Sequence, residues 1–150
     1  MHFAELKRTP FNVVLLRWPR DGDDWIHPDD RCLAQNLLPG DRVFRWEGTE
    51  GPYHVLTYGH RVLRIEPVLW REVPQEGLAM GDQVEVLSRM GRNWHRVGFI
   101  SEIRWRESAG RIVYQIRARS RLIPTTYLAE DLRRIEHFDR TYAGLESEET

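Results

Sequence analysis

Residues 37–43 read LLPGDRV and residues 78–84 read LAMGDQV, so one L-x-x-G-D-x-V signal occurs twice, its glycines 41 positions apart. In each copy a glycine that tolerates positive φ and an aspartate that can bond to its own backbone make a turn. An alternating run follows each turn, VFRW in the first copy and VEVL in the second. The two stretches also end alike, since RVLRIEPVLWREV (61–73) and RLIPTTYLAEDLRRI (121–135) each carry a strand, a proline, a short turn and a closing strand. Matched starts and matched ends predict two related β units in tandem. On this reading Asp41 and Asp82 are turn-formers and not catalytic acids.

Upstream of the first copy, FNVVLLRW (11–18) is an apolar, β-branched run closed by Pro19, which predicts a buried strand. HPDDRCLAQNLLPG (27–40) predicts one short helix. Pro28 suits its first turn, Asp29 and Asp30 suit the positive end of the helix dipole, and Pro39-Gly40 stops it. Leu33 and Leu37 fall on one face, and Cys32 beside them reads as a buried helix position. Between the two signals a meander is expected, with strands over VFRW, YHVLTY and RVLRI, where Val62 faces away from Leu63 and Ile65.

After Gly81 come DQVEVL, a long strand or bent pair over WHRVGFISEIRWRE, then RIVYQIRA and SRLIP. Gly98 inside a strand pattern predicts a bulge or a barrel corner. YLAEDLRRIEHF reads either as a 3₁₀ turn followed by a strand or as a helix with Leu128, Leu132 and Ile135 on one stripe. The expected fold is therefore mainly β with a minor helix: two small SH3-like β-barrel units in tandem, preceded by an N-terminal strand and short helix. Residues 1–39 form the strand-loop-helix, 40–77 the first unit, 78–135 the second, and 136–150 an acidic tail.

The chain has 150 residues, 41% of them apolar, enough to bury a core. No run approaches the roughly 18 apolar residues of a membrane span, and the N-terminus lacks a signal-peptide pattern, so a cytosolic protein is expected. A single cysteine excludes an internal disulfide. Net charge is −1, but the charges are unevenly placed. Residues 78–135 carry eleven arginines against six acids, and residues 136–150 one arginine against five acids.

GDQVEV, WHRVGFISEI, IVYQI and YLAEDLRRI together resemble the Tudor and Agenet-like group of SH3-like barrels over roughly residues 81–135. That resemblance implies a small barrel and an aromatic cage for methylated cations, with Trp94, Phe99, Tyr114 and Tyr127 as cage residues and Glu130 or Asp131 as an acidic neighbour. The same rings also suit the core of a barrel this small. The stretch from IHPDD to WREV is similar to an uncharacterised bacterial domain family in which an IHPDD helix precedes a β meander. It implies a fold and no activity.

Motifs for catalysis and metal binding are sparse. The six histidines show no H-x-x-H or H-E-x-x-H spacing, and DGDD (21–24) has Cys32 where a calcium loop needs its twelfth-position glutamate. No nucleophile elbow or phosphate-binding glycine loop occurs, so neither cofactor nor metal is expected. His27, Asp29 and Asp30 form the one group from which an enzyme reading starts. Arginines carry the more informative pattern. Arg117, Arg119 and Arg121 are spaced by two, so an extended QIRARSR places them on one strand face, and Arg104 and Arg106 make a second pair on the neighbouring strand. Such a face suits an acidic protein surface. The predicted function is accordingly a non-catalytic interaction module that binds a protein partner through Arg104, Arg106, Arg117, Arg119 and Arg121, with Trp94, Tyr114 and Tyr127. Exposed sheet edges would favour strand addition. The alternative is a nucleic-acid binder that uses the same arginines on phosphates.

Overall fold

Alternating and β-branched runs become strands throughout the chain, and the computed structural model describes them over residues 11–18, 22–38, 40–68, 70–88 and 93–136. Two units result. The first holds the described residues up to Gly77 together with Ile103–Ile112, and the second holds Leu78–Glu102 and the described residues from Val113 onward. Among the described residues the strands form two five-stranded antiparallel sheets, so the fold is mainly β with one short α-helix. Neither sheet closes into a barrel.

The first sheet comprises β1 (Phe11–Val14), β2 (Val43–Glu50), β3 (Tyr53–Tyr58), β4 (Arg61–Ile65) and β5 (Arg71–Val73), in the order β4-β3-β2-β1-β5. The N-terminal strand is thus an inner strand, paired with β2 on one side and β5 on the other. An extra residue at Glu47 shifts the β2–β3 register between Trp46 and Gly48, which is a β-bulge. Val62 is exposed while Leu63 and Ile65 are buried, as the alternation of RVLRI predicts.

Between β1 and β2 the IHPDD segment makes a 3₁₀ turn, Pro28–Asp30, that continues into α1 (Arg31–Leu37). Asp30, Ala34 and Leu37, at i, i+4 and i+7, form its buried face. Cys32 lies across the helix from that face and is exposed, which corrects the expectation of a buried thiol. A carboxylate on the buried face needs a partner, and Arg64 of β4 supplies one. Its Nε and Nη2 donate to Asp30 Oδ2 and Oδ1 at 2.9 and 3.2 Å, and its backbone N–H adds a third bond of 2.9 Å. Helix and sheet are clamped together by a bidentate ion pair.

The second sheet comprises β6 (Gln83–Val86), β7 (Arg96–Arg106), β8 (Arg111–Ala118), β9 (Arg121–Leu122) and β10 (Leu132–Arg134), in the order β10-β6-β7-β8-β9. A 3₁₀ turn over Ala129–Asp131 precedes β10, and Asp131 Oδ2 accepts the Leu128 N–H at 3.0 Å. The core of this unit is built from Val84, Val86, Ile100, Val113, Tyr114, Ile116, Tyr127 and Leu132. Gly98 marks no shift in the β6–β7 register, contrary to the expected bulge. A Cβ there would stand 2.7 Å from the Arg117 carbonyl oxygen, so close approach of β8 is what requires glycine.

Counted within each unit, both sheets place their strands in the order fifth, first, second, third, fourth. Tandem repetition of architecture is therefore real, but the G-D-x-V signals do not mark it. Gly40-Asp41 launches β2, the second strand of its sheet, and Gly81-Asp82 launches β6, the first of its own. The aspartates differ too. Asp82 Oδ2 accepts the Ala79 N–H at 2.9 Å in a turn where Gly81 has φ +87°, whereas Asp41 Oδ1 accepts from Arg104 Nη1 at 2.6 Å. Of the acidic tail, all but Glu136 lies outside the described residues. Among the described residues no helix is long and apolar enough to cross a membrane.

Candidate arginine-lined groove

The five arginines of the predicted face do not share one surface strip. QIRARSR does not stay extended, because Arg119 and Ser120, at φ +53° and +65°, form the two-residue turn of the β8–β9 hairpin. Ala118 pairs with Arg121 across that turn, and Arg117 with Leu122. Positive φ at both central positions is the geometry of a type I′ turn, which usually selects Asn or Gly. An Arg-Ser pair gives no such signal. Arg104 and Arg106 belong to the first unit, where Arg104 is held by Asp41, while Arg117, Arg119 and Arg121 belong to the second.

The rings also separate. Tyr114 and Tyr127 exchange backbone hydrogen bonds at 2.8 Å and are 1% and 3% exposed, so they fill the core and line no open cage. Trp94 is 81% exposed and Phe99 48%. Of the predicted cage, only these two rings are accessible.

What the fold does bring together is a groove of about 730 Å³ in the second unit. Arg96 and Val97 at the start of β7 form one wall, with His95 just before them, and Arg119, Arg121 and Leu122 of the hairpin face them. Ala118, Ile123 and Pro124 complete the lining. Val97 and Leu122 are 42% and 45% exposed, unusual for large apolar side chains and adjacent to three guanidinium groups. Arg96, Arg119 and Arg121 form no ion pair among the described residues.

At the rim, His95 Nε2 lies 3.1 Å from Glu85 Oε2, and Arg133 donates to Glu85 Oε1 at 2.6 Å. The Arg133 hydrogen bond, opposed by partial burial and helped by His95, holds the Glu85 carboxyl below its ordinary range. That carboxylate is already engaged. The groove lining therefore combines arginines with exposed apolar residues.

Sequence reasoning identified Arg119 and Arg121 but missed Arg96, His95, Val97 and Leu122. One signal was available: in HRVGF, Val97 and Phe99 alternate with Gly98 and Ile100, so one apolar pair must face outward once the other is buried. The enzyme reading from His27, Asp29 and Asp30 meets groups already occupied. His27 Nδ1 accepts the Asp29 N–H at 3.0 Å and caps the 3₁₀ turn, and Asp30 is bound to Arg64. Burial disfavours the charged form of Asp30, yet the Arg64 hydrogen bonds and charge outweigh it and hold the carboxyl below its ordinary value. Among the described residues no group of three or more His, Cys, Asp or Glu side chains is placed to hold a metal ion.

No curated protein and no solved structure matches the chain. A family model does match, over residues 6–133, and the chain belongs to that family, described as a family of unknown function (DUF6960).

Proposed function

We propose that the chain is a non-catalytic interaction module, acting in the cytosol, that binds a protein partner through the arginine-lined groove of its second unit. The observation that carries this reading is the coincidence of Arg96, Arg119 and Arg121 with exposed Val97 and Leu122 in one concavity. Guanidinium groups with no acidic partner among the described residues favour a carboxylate-bearing ligand. Exposed Val97 and Leu122 in the same lining favour a polypeptide over a bare phosphate chain, because side chains supply the matching apolar surface.

The fold order supports the same reading. Fifth strand beside first, with a 3₁₀ turn before the last strand, is the arrangement of SH3-like units such as the Tudor and Agenet-like group, although this sheet is open. With Tyr114 and Tyr127 buried, the arginines and not an aromatic cage carry recognition. In this reading the IHPDD segment is structural, and its family likeness concerns the fold of the first unit.

Nucleic acid is the second reading, favoured by the exposed Trp94 and Phe99 rings beside arginines. Affinity capture with the wild-type chain and with an Arg96→Ala/Arg119→Ala/Arg121→Ala variant tests the first reading. A protein recovered by the wild type and lost with the variant is expected. Titration with mixed RNA and DNA between about 50 and 200 mM salt tests the second, since phosphate contacts lose affinity steeply over that range. Steep salt-dependent binding of oligonucleotides, with no protein recovered, would replace the first reading by the second.

A further inference from the structure

We propose that the partner presents an extended acidic segment that adds as a strand to the free edge of β9, pairing with the Leu122 backbone while its carboxylates bind Arg119 and Arg121. This inference rests on the groove being the binding surface and states what occupies it. The backbone argument comes from the ladder pattern. Antiparallel pairs alternate between hydrogen-bonded and non-hydrogen-bonded. The Ile123 N–H donates to the Ile116 carbonyl at 2.9 Å, which makes 116 and 123 a bonded pair. The next pair, Arg117 and Leu122, is then non-bonded, so the N–H and C=O of Leu122 point away from β8. β9 is the last strand in its sheet, so among the described residues no strand pairs with that side.

This edge is short. β9 has two residues, Arg121 turns its backbone groups toward Ala118, and Pro124 has no N–H to offer. Leu122 alone supplies an outward donor and acceptor within the strand, one closely spaced pair of bonds for an incoming chain. So brief a ladder cannot select or hold a partner by itself, and short edges are a device against indiscriminate pairing. The flanking arginines supply what it lacks. Side chains on one face of an extended segment repeat every second residue, about 6.6 Å apart, so acidic residues at alternate positions meet the arginines. Intervening apolar residues meet exposed Leu122.

Selection of displayed random peptides of about twelve residues on the full chain tests the proposal. Enriched peptides are expected to carry Asp or Glu at alternate positions around an apolar residue, and to bind the Arg119→Ala/Arg121→Ala variant about tenfold more weakly or worse. Methylating their backbone nitrogens one at a time should give about tenfold loss at the single amide that faces Leu122 and little at its neighbours. Peptides that need Arg119 and Arg121 but show a flat methylation scan would overturn strand addition and leave the groove as binding surface. Absence of any peptide dependent on those arginines would overturn both. A mixed-sequence oligonucleotide that displaces the peptides at equal concentration would overturn the choice of a polypeptide.

Discussion

The two units place their five strands in the same order, but one fastens its helix with an arginine and the other, which pairs Arg133 with Glu85, also lines a groove with three arginines. In the first, Arg64 is committed to Asp30 and Glu50, and Arg104 to Asp41. In the second, Arg96, Arg119 and Arg121 line a groove with no ion pair among the described residues. One topology thus carries charge that fastens a helix to a sheet in one unit and charge that lines a groove in the other. Charge count alone does not separate these uses. Partner and burial do, since a guanidinium opposite a buried carboxylate is a fastener, and one beside exposed apolar side chains is, on the proposed reading, a contact surface.

The largest effect should come from breaking the fastener. Asp30 and Arg64 side chains are 10% and 23% exposed, so Asp30→Asn removes a largely buried charged hydrogen bond and is expected to cost about 2–3 kcal/mol. Urea unfolding measures it. The pH dependence has a definite sign. Asp30 is held below its ordinary value of 3.8 in the fold, so its stabilisation is complete above that value and fades as pH falls through the lowered one. The Asn variant should therefore lose part of the wild type's acid sensitivity.

Next, Gly98→Ala should destabilise the second unit by about 2 kcal/mol, because β8 backbone must shift away from the new methyl group. Asp82→Ala loses the bond to the Ala79 N–H and is expected to cost about 1 kcal/mol, whereas Asp41→Ala, which loses a half-exposed ion pair, should cost about 0.5 kcal/mol. Equal losses would restore the equivalence that the repeated signal suggests. Ser120→Gly should stabilise the protein by up to about 1 kcal/mol by relieving a left-handed residue, with partner binding unchanged. Thermal melting of each variant resolves these smaller differences.

Much of the fold is legible in the sequence, because alternation at YHVLTY, RVLRI and RIVYQIRA records which face is buried. The closing 3₁₀ turn and strand are legible as well, from AEDLRR. The role of β1 is not, since a pairing between residues near 12 and near 73 leaves no local trace. The candidate site was half visible. Arg119 and Arg121 stood out by spacing, but the turn that Arg119 forms with Ser120 carries neither Gly nor Asn, so a straight strand was the natural reading. Arg96 and Leu122 meet only through the fold, and sequence distance hides them. The doubled G-D-x-V recurs because turns that launch strands share chemistry, not because the turns are equivalent.

A paired measurement on two variants tests the contrast most directly: urea midpoint and partner recovery for Asp30→Asn and for Arg119→Ala/Arg121→Ala. The account predicts that the first lowers the midpoint and, at temperatures where it stays folded, keeps the partner, while the second keeps the midpoint and loses the partner. Full partner recovery by the arginine variant, with its midpoint unchanged, would contradict the assignment of the groove.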